Sequence, residues 1–181
     1  VSIERFRFFD GTYTLAEMLP TFVALSSANV PSVSEGSSFA TAGVLTFQVT
    51  RSGDLSGSTS VTLRVEGGDS PAADSGDLAL VRTAAGSLGA GFGDRTVTFG
   101  PGQSALTVEV VAQTDLFVEP IESVRLTLLS VTGGQLDPSG VMSAQGLILN
   151  DDVPPPAVAI TAVNDPVPEG EVGEVVVTVL H

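Results

Sequence analysis

Side chains that offer oxygen ligands recur along the sequence, and together they suit metal binding. The segment Asp115–Glu122 is dense in carboxylates, and the run Asn150–Asp152 adds further oxygen-bearing side chains. Carboxylates that gather in a folded protein repel one another unless a doubly positive ion lies among them. Calcium takes about 6–8 oxygen ligands, whereas magnesium requires near-octahedral geometry and keeps several waters, so the pattern favours calcium. The converging residues are Glu35, Asp77, Asp115, Glu119, Glu122, Asn150, Asp151 and Asp152.

The elements that must position these residues are β-strands. Apolar and polar residues alternate with a period of two in runs rich in Val, Thr and Leu, and turn-forming residues separate the runs. Helical periodicity is nearly absent, although Thr14–Leu19 has the length of a turn or two of helix. The pattern predicts an all-β fold, a seven-stranded antiparallel immunoglobulin-like β-sandwich. Its strands A to G are predicted within Phe22–Val33 and at Val44–Thr50, Ser60–Val65, Thr96–Phe99, Ala105–Val111, Val124–Leu129 and Gly146–Leu149.

Antiparallel connections between these strands place alternate loops at opposite ends of the sandwich. The A–B, C–D and E–F loops and the exit from strand G therefore share one end. Glu35 lies in the A–B loop, Asp77 lies in the long C–D loop of Gly67–Arg95, and the other acidic residues lie in the E–F loop and after strand G. The acidic bias is predicted for this end only. The other end receives ordinary turns at Ser52–Asp54, Pro101–Gln103 and Thr132–Gly134.

The composition excludes several classes of function. Asp and Glu number 21 against 7 Lys and Arg, which gives a formal net charge of −14 at pH 7. So acidic a surface repels phosphate backbones and anionic membranes, which predicts no nucleic-acid binding and no binding to a membrane surface. The sequence has no uninterrupted apolar stretch of about 18 residues, so we expect no membrane insertion.

Residues that several catalytic centres require are missing from the sequence. There is no Cys, and the one His is His181 at the last position, so thiolate sites, His-rich metal sites and a His-dependent triad are excluded. Paired carboxylates also serve glycoside hydrolysis, but a sugar cleft needs aromatic side chains. The sequence has no Trp and one Tyr, Tyr13. We therefore predict that the chain is not an enzyme.

Each acidic residue taken singly also has a simpler interpretation. Glu35 precedes a Gly, as turn residues do, and Glu122 is compatible with an exposed position at the start of a strand. Asp151 and Asp152 are compatible with the start of a polar linker. Independent turns would not favour the same end repeatedly, so the set as a whole favours metal binding. The remaining acidic residues are interpreted as ordinary loop residues: Asp54, Asp69, Asp74, Asp94 and Asp137.

Successive motifs in the chain resemble those of the Calx-beta domain, over roughly Ala28–Asp152. They are Val33–Gly36, Ala73–Asp77, Val97–Gly102, Asp115–Glu122 and Leu149–Asp152. The resemblance implies a calcium-binding immunoglobulin-like sandwich, a domain known in sodium/calcium exchangers and as repeats in extracellular proteins. Thr114 stands at a position that is often acidic in high-affinity members, and Asn150 stands where some members have a third Asp, which implies fewer ions or weaker binding. The ligand positions that the resemblance implies are Glu35, Asp77, Asp115, Glu119, Glu122, Asp151 and Asp152.

The segments outside this match indicate a modular protein. Ile3–Thr12 with Thr14–Glu17 resembles the end of the glycine-rich calcium repeats in secreted bacterial RTX proteins. Pro154–Pro156 predicts a stiff connector, and Val167–Gly170, flanked by two strand patterns, echoes Val33–Gly36. The predicted units are an RTX-like segment at 1–21, a sandwich at 22–152, a linker at 153–156 and an incomplete second repeat at 157–181.

These observations lead to one main functional hypothesis and two alternatives. The main hypothesis is a calcium-binding repeat of a large secreted or cell-surface bacterial protein, in which Ca²⁺ stiffens the joint to the next domain for adhesion or scaffolding. Its expected partners are neighbouring domains of the same chain and protein or glycan ligands. One alternative is a calcium-independent spacer with degenerate sites. The other is a carbohydrate- or protein-binding adhesin module.

Overall fold

The protein is described from a computed structural model. The structure describes residues 5–9, 11–26, 31–69, 71–162 and 175–180. The predicted repeat motif Val167–Gly170, the terminal His181 and the first residues of the RTX-like segment lie outside these ranges. No helix in the described ranges has the length and the apolar character needed to span a membrane.

The described residues form an all-β structure in which two sheets pack face to face. A single 3₁₀ turn, Ala16–Met18, lies within the stretch predicted to hold a turn or two of helix. The strands, in chain order, are β1 Arg5–Arg7, β2 Thr12–Thr14, β3 Phe22–Leu25, β4 Ser32–Ser34, β5 Val44–Ser52, β6 Thr59–Gly67, β7 Leu78–Thr83, β8 Gly86–Gly89, β9 Gly93–Phe99, β10 Ala105–Ala112, β11 Glu122–Thr132, β12 Gln135–Leu136, β13 Ser143–Leu149, β14 Ala157–Ala162 and β15 Val175–Leu180.

The sandwich consists of a six-stranded sheet and a five-stranded sheet. The six-stranded sheet has the order β12-β3-β5-β10-β7-β8, and the five-stranded sheet has the order β4-β13-β11-β6-β9. β1 and β2 form a separate hairpin, and β14 and β15 pair antiparallel in a further two-stranded sheet. The predicted fold class is therefore confirmed.

The core lies between the two sheets and follows from the alternation in the sequence. In β6, for example, every second residue from Val61 to Val65 is fully buried, while Arg64 between them is exposed. Burying one such side chain stabilises the fold by about 1.5–3 kcal/mol. The largest fully buried side chains are Phe47, Phe99, Leu45, Leu63, Leu126, Val23, Val49, Val61, Val65, Val81, Val108 and Val110.

The predicted strand A proves to be two strands in different sheets. β3 pairs antiparallel with β5 in one sheet, whereas β4 pairs parallel with β13 in the other. Pro31, directly before β4, has no N–H to donate, but its carbonyl accepts a hydrogen bond from the Leu147 amide at 2.8 Å. The chain thus crosses from one sheet to the other before Glu35.

The prediction that Gly67–Arg95 is a loop was wrong in its middle part, where β7 and β8 form a hairpin. β7 was missed because its burial does not alternate with a period of two; Leu78 and Val81 are its buried residues. The predicted strand D is β9, but it pairs with β6, and β7 takes the place beside β10. A hairpin adds two strands, so the directions of the later strands and the ends reached by their loops stay as predicted.

The end opposite the acidic loops is organised around Arg51. This side chain is only 3% exposed, and its guanidinium lies 5.4 Å from the centre of the Phe99 ring. The loop backbone supplies nearly all of its hydrogen-bond acceptors, so a single cation joins the turns after β5 and after β9. The acceptors are the carbonyl oxygens of Gln103 (2.9 Å), Gly57 (2.8 Å), Gly100 (2.9 Å) and Leu55 (3.3 Å) and the hydroxyl of Thr59 (3.0 Å).

Replacing Arg51 is therefore expected to destabilise the whole sandwich. Arg51→Ala removes the common donor of four loop carbonyl oxygens together with a buried side chain, and we expect a loss of about 2–3 kcal/mol in the free energy of unfolding. Chemical denaturation of both proteins measures this difference. Arg64→Ala is the matched control, because Arg64 and Asp94 form an ion pair with side chains 46% and 48% exposed, and its loss should change stability far less than that of Arg51. Equal effects of the two substitutions would contradict this assignment.

Candidate metal centre

The residues predicted as metal ligands all lie at the ends of strands or in the loops that leave them. Glu35 directly follows β4, and Asp77 directly precedes β7. Asp115 and Glu119 lie in the loop between β10 and β11, and Glu122 is the first residue of β11. The last two, Asp151 and Asp152, follow β13.

The first carboxylate group, here called the Glu35 group, consists of Glu35, Asp151 and Asp152. One carboxylate oxygen from each lies within 4.8 Å of the others. The parallel pairing of β4 with β13 brings them together, because Ser34 is opposite Leu149 and the two strands end side by side. The Glu35 amide continues this ladder by donating to the Leu149 carbonyl at 3.0 Å.

The second carboxylate group, here called the Glu122 group, consists of Asp77, Glu119 and Glu122. Its carboxylate oxygens likewise lie within 4.8 Å of one another. The backbone fixes two of these residues: the Gln113 amide donates to the Asp77 carbonyl at 2.7 Å, and the Glu119 amide donates to Asn150 Oδ1 at 3.0 Å. The members of the group therefore come from two loops, and the hydrogen bond to Asn150 ties them to the segment after β13.

Asp115 belongs to neither group by oxygen distance, but its charge acts on both. It raises the pKa of Glu35 and Asp152 in the Glu35 group and of Glu119 in the Glu122 group. Its Oδ1 accepts a hydrogen bond from the Phe117 amide at 2.7 Å. The structure thus brings six of the predicted ligands into two groups and places the charge of the seventh, Asp115, near both.

The Glu35 group contains buried oxygens that lack a partner. Glu35 is only 3% exposed. In the part of the chain that the structure describes, the buried side-chain atoms without a hydrogen-bond partner are Glu35 Oε1, Asp152 Oδ2 and Arg95 Nε. An unpaired buried polar atom costs about 1–3 kcal/mol, more if it is charged. Two of these atoms are carboxylate oxygens within one small cluster, and a cation is the partner that both would accept.

The electrostatics of both groups oppose ionisation. Burial raises the pKa of Glu35, and the negative charges of Asp115 and Asp152 add to the rise. Burial also raises the pKa of Glu122, to about 7, and a hydrogen bond to Asp77 and the negative charge of Asp77 contribute further. The pKa of Glu119 and the pKa of Asp152 are raised as well, in both cases first by burial.

No arginine neutralises these carboxylates within the described residues. The ion pairs found there join Arg64 to Asp94, Arg82 to Glu109 and Arg125 to Asp69, and none includes a predicted ligand. Uncompensated carboxylates with unpaired oxygens fit Ca²⁺, which is bound by hard oxygen ligands. The residues present therefore fit the ion that the sequence predicted.

Two further residues support the site, although the sequence analysis did not count them among the ligands. Asp74, interpreted as a loop residue, donates its amide to the Asp77 carboxylate, and its charge raises the pKa of Glu119 and Glu122. Asn150 Nδ2 donates to the Asp152 carbonyl at 3.0 Å. The spacing Asp74-x-x-Asp77 was the available signal for Asp74.

The other acidic residues interpreted as loop residues do lie outside both groups. Asp69 pairs with Arg125, and Asp94 pairs with Arg64; Asp94 lies in strand β9, so its interpretation as a loop residue was wrong. The carboxylates of Asp54 and Asp137 accept hydrogen bonds from the amides of Ser56 at 2.8 Å and Ser139 at 2.9 Å, as turn residues do.

The fold that carries this site is shared with solved structures of Calx domains. The chain is similar to the apo form of the Calx CBD1 domain, with a TM-score of 0.54 and 21% identity over 74% of this chain and 99% of that one. It is also similar to CBD12 from CALX1.2, with a TM-score of 0.52 and 21% identity over 73% of this chain and 45% of that one. For the calcium binding domain CBD12 of CALX1.1 the TM-score is 0.51, with 20% identity over 73% and 44% of the two chains.

At this level of identity the similarity establishes the fold. No protein-family model and no curated protein matches the sequence. The protein is an all-β sandwich with the fold of the Calx CBD domains, and its clustered carboxylates lie at one end of that fold.

Proposed function

We propose that this protein is a calcium-binding module. The observation that carries the proposal is the Glu35 group, in which Glu35 Oε1 and Asp152 Oδ2 are buried and have no hydrogen-bond partner among the described residues. Calcium would supply the missing positive charge, with the Glu35 group and the Glu122 group as its ligands and Asp115 between them. One of the similar structures is described as a calcium binding domain, which supports the same conclusion.

We further propose that calcium stiffens the joint that follows the site. Asp151 and Asp152 end the sandwich, and the connector Val153–Pro156 begins directly after them. The prolines restrict this connector to extended conformations. Calcium held by Asp151 and Asp152 would fix its first residues against β4, so that the position of β14 and β15 follows that of the sandwich.

This role suits a repeat of a secreted or cell-surface bacterial protein, because extracellular calcium modules bind Ca²⁺ with dissociation constants of about 0.1–1 mM. The support is the resemblance of the N-terminal segment to RTX proteins and the proposed second repeat at 157–181. The module would act on neighbouring domains of its own chain rather than catalyse a reaction.

One observation favours a protein-binding role as a second candidate. The loop that carries Asp115 and Glu119 exposes Leu116 by 76%, Phe117 by 73% and Val118 by 51%. Exposed apolar side chains at the tip of one loop are a feature of interaction surfaces. Such a surface is compatible with an adhesin module whose loop is ordered by calcium.

Calcium binding is tested by isothermal titration calorimetry with substitutions in each group. We expect binding at micromolar to millimolar calcium and a higher melting temperature when calcium is present. Glu35→Gln and Glu122→Gln should each weaken binding at their own group by about 10-fold or more, because each removes one anionic ligand. Asp94→Asn is the matched control and should bind like the unmodified protein. If millimolar calcium gives no heat and leaves the melting temperature unchanged, the module is a calcium-independent spacer.

The raised pKa values predict an unusual pH dependence without calcium. A carboxyl such as Glu122, with a pKa of about 7 in the folded protein against an ordinary value of 4.5, binds more protons folded than unfolded across that window. The free energy of unfolding should therefore fall as pH rises through it. In a chelator, we expect the melting temperature to be about 2–6 °C lower at pH 8 than at pH 5.5.

Two controls accompany this pH experiment. Glu122→Gln should reduce the difference in melting temperature between pH 5.5 and pH 8, since the amide does not titrate. Calcium should reverse the trend, because it binds the deprotonated carboxylates. Asp69 and Asp94 do not interfere, since hydrogen bonds lower their pKa and move their titration below this range. A melting temperature that rises steadily with pH in chelator would contradict the proposed repulsion.

The effect on the joint is measured by NMR relaxation of the amides of Val153 and Ala157. Calcium should raise their heteronuclear NOE towards the values of the sandwich, because it restricts the residues before the connector. Asp152→Asn should abolish this rise. An NOE that stays the same when calcium binds would show that the site acts within the sandwich alone.

A further inference from the structure

The segment between β6 and β7 is held on the five-stranded sheet by side chains outside both carboxylate groups. Its anchor is Asp69, whose carboxylate accepts hydrogen bonds from Arg125 Nη2 at 2.5 Å and Gln145 Nε2 at 2.6 Å. Gln145 Oε1 accepts in return from the Asp69 amide at 3.1 Å. Arg125 and Gln145 are directly opposite in the pairing of β11 with β13, so one carboxylate bridges two strands.

The same segment is bonded to the backbone of Ser123, the residue after Glu122. Ser123 is 5% exposed, and its carbonyl accepts from the amides of Gly68 at 2.8 Å and Ala73 at 3.0 Å. Its own amide donates to the Pro71 carbonyl at 3.0 Å, and its hydroxyl lies within hydrogen-bond distance of the carbonyl oxygens of both Asp69 and Pro71. The segment thus docks on the position next to a predicted ligand.

The segment approaches the sheet closely at Gly68. A Cβ placed there would lie 2.6 Å from Ser123 Oγ and 2.7 Å from Gln145 Oε1. Any other residue would therefore displace one of these side chains, and both of them are hydrogen-bonded to Asp69. A side chain at position 68 thus disturbs the same contact that Asp69 makes.

This docking helps to fix Asp77, the member of the Glu122 group that lies in the segment between β6 and β7. Asp74 directly follows Ala73, and its amide donates to the Asp77 carboxylate. The Gln113 amide fixes the backbone of Asp77, so it is the direction of the Asp77 carboxylate that depends on how firmly the residues up to Asp74 are held. Groups that orient a metal ligand commonly change metal affinity without touching the ion.

We propose that Asp69, held by Arg125 and Gln145, is a positioning residue that sets the calcium affinity of the Glu122 group by fixing the segment that carries Asp77. The inference rests on the proposed calcium binding and deepens it. Because the segment is already held before the ion binds, Asp77 loses less conformational freedom on binding. Loss of the Asp69 contacts should therefore weaken calcium binding rather than abolish it.

Calorimetric calcium titration of Asp69→Ala tests the role of Asp69. We expect about 5- to 10-fold weaker binding at one class of site and unchanged binding at the other. The melting temperature in chelator should move no further than in Asp94→Ala, the matched control, since Asp69 is 76% exposed and surface ion pairs contribute little stability. Gly68→Ala should produce the same selective weakening, because the added methyl group would displace the side chain of Ser123 or Gln145.

A double substitution separates positioning from direct ligation. If Asp69 acts through the Glu122 group, Asp69→Ala should have little further effect in a Glu122→Gln background. Full additivity would show that Asp69 acts independently of that group and would overturn the proposal. So would unchanged calcium affinity in Asp69→Ala, which leaves the proposed function standing if the unmodified protein binds. Absence of binding in the unmodified protein would overturn both.

Discussion

The burial of alternating apolar side chains between two sheets is the constraint on which the rest of the structure depends. It fixes which face of each strand points inward, and a shift by one residue would expose the whole inner set. With the faces fixed, the direction of each strand decides which loops meet at each end. Residues as distant in sequence as Glu35 and Asp151 become neighbours for this reason, and nothing local in either loop requires it.

The two ends of the sandwich solve opposite electrostatic problems. At one end, the guanidinium of Arg51 donates to carbonyl oxygens of several turns, so these acceptors find their partner within the chain itself. At the other end, carboxylates face carboxylates, and Glu35 Oε1 has no partner among the described residues. The apolar core must be stable enough to keep these carboxylates together despite their mutual repulsion. The stability that Arg51 and the apolar interior provide is thus what allows an unneutralised cluster to exist.

The sequence predicted the fold class and the end at which the acidic residues meet, because both follow from alternation and strand direction. It did not predict the β7–β8 hairpin, since Leu78 and Val81 are spaced by three positions and resemble no regular strand pattern. It treated strand A as one strand, because the change of sheet near Pro31 depends on tertiary pairing with β13. Arg51 was not predicted as a hub, since its acceptors are backbone carbonyls that carry no sequence signal. The roles of the carboxylates as ligands and the limits of the modules stay predictions.

The β7–β8 hairpin has a consequence for how such a domain can change in length. Because the chain leaves along one strand and returns along the next, the hairpin begins and ends at the same edge of the fold. Its tip near Thr83 and Gly86 lies in exposed chain, away from the core. β7 itself must stay, because it pairs with β10 and buries Leu78 and Val81 in the core, but the tip can lengthen without redirecting a ligand-bearing loop. Length variation at this tip is compatible with an unchanged acidic end. Loss of a single strand, in contrast, would reverse the direction of the later strands and send some acidic loops to the opposite end.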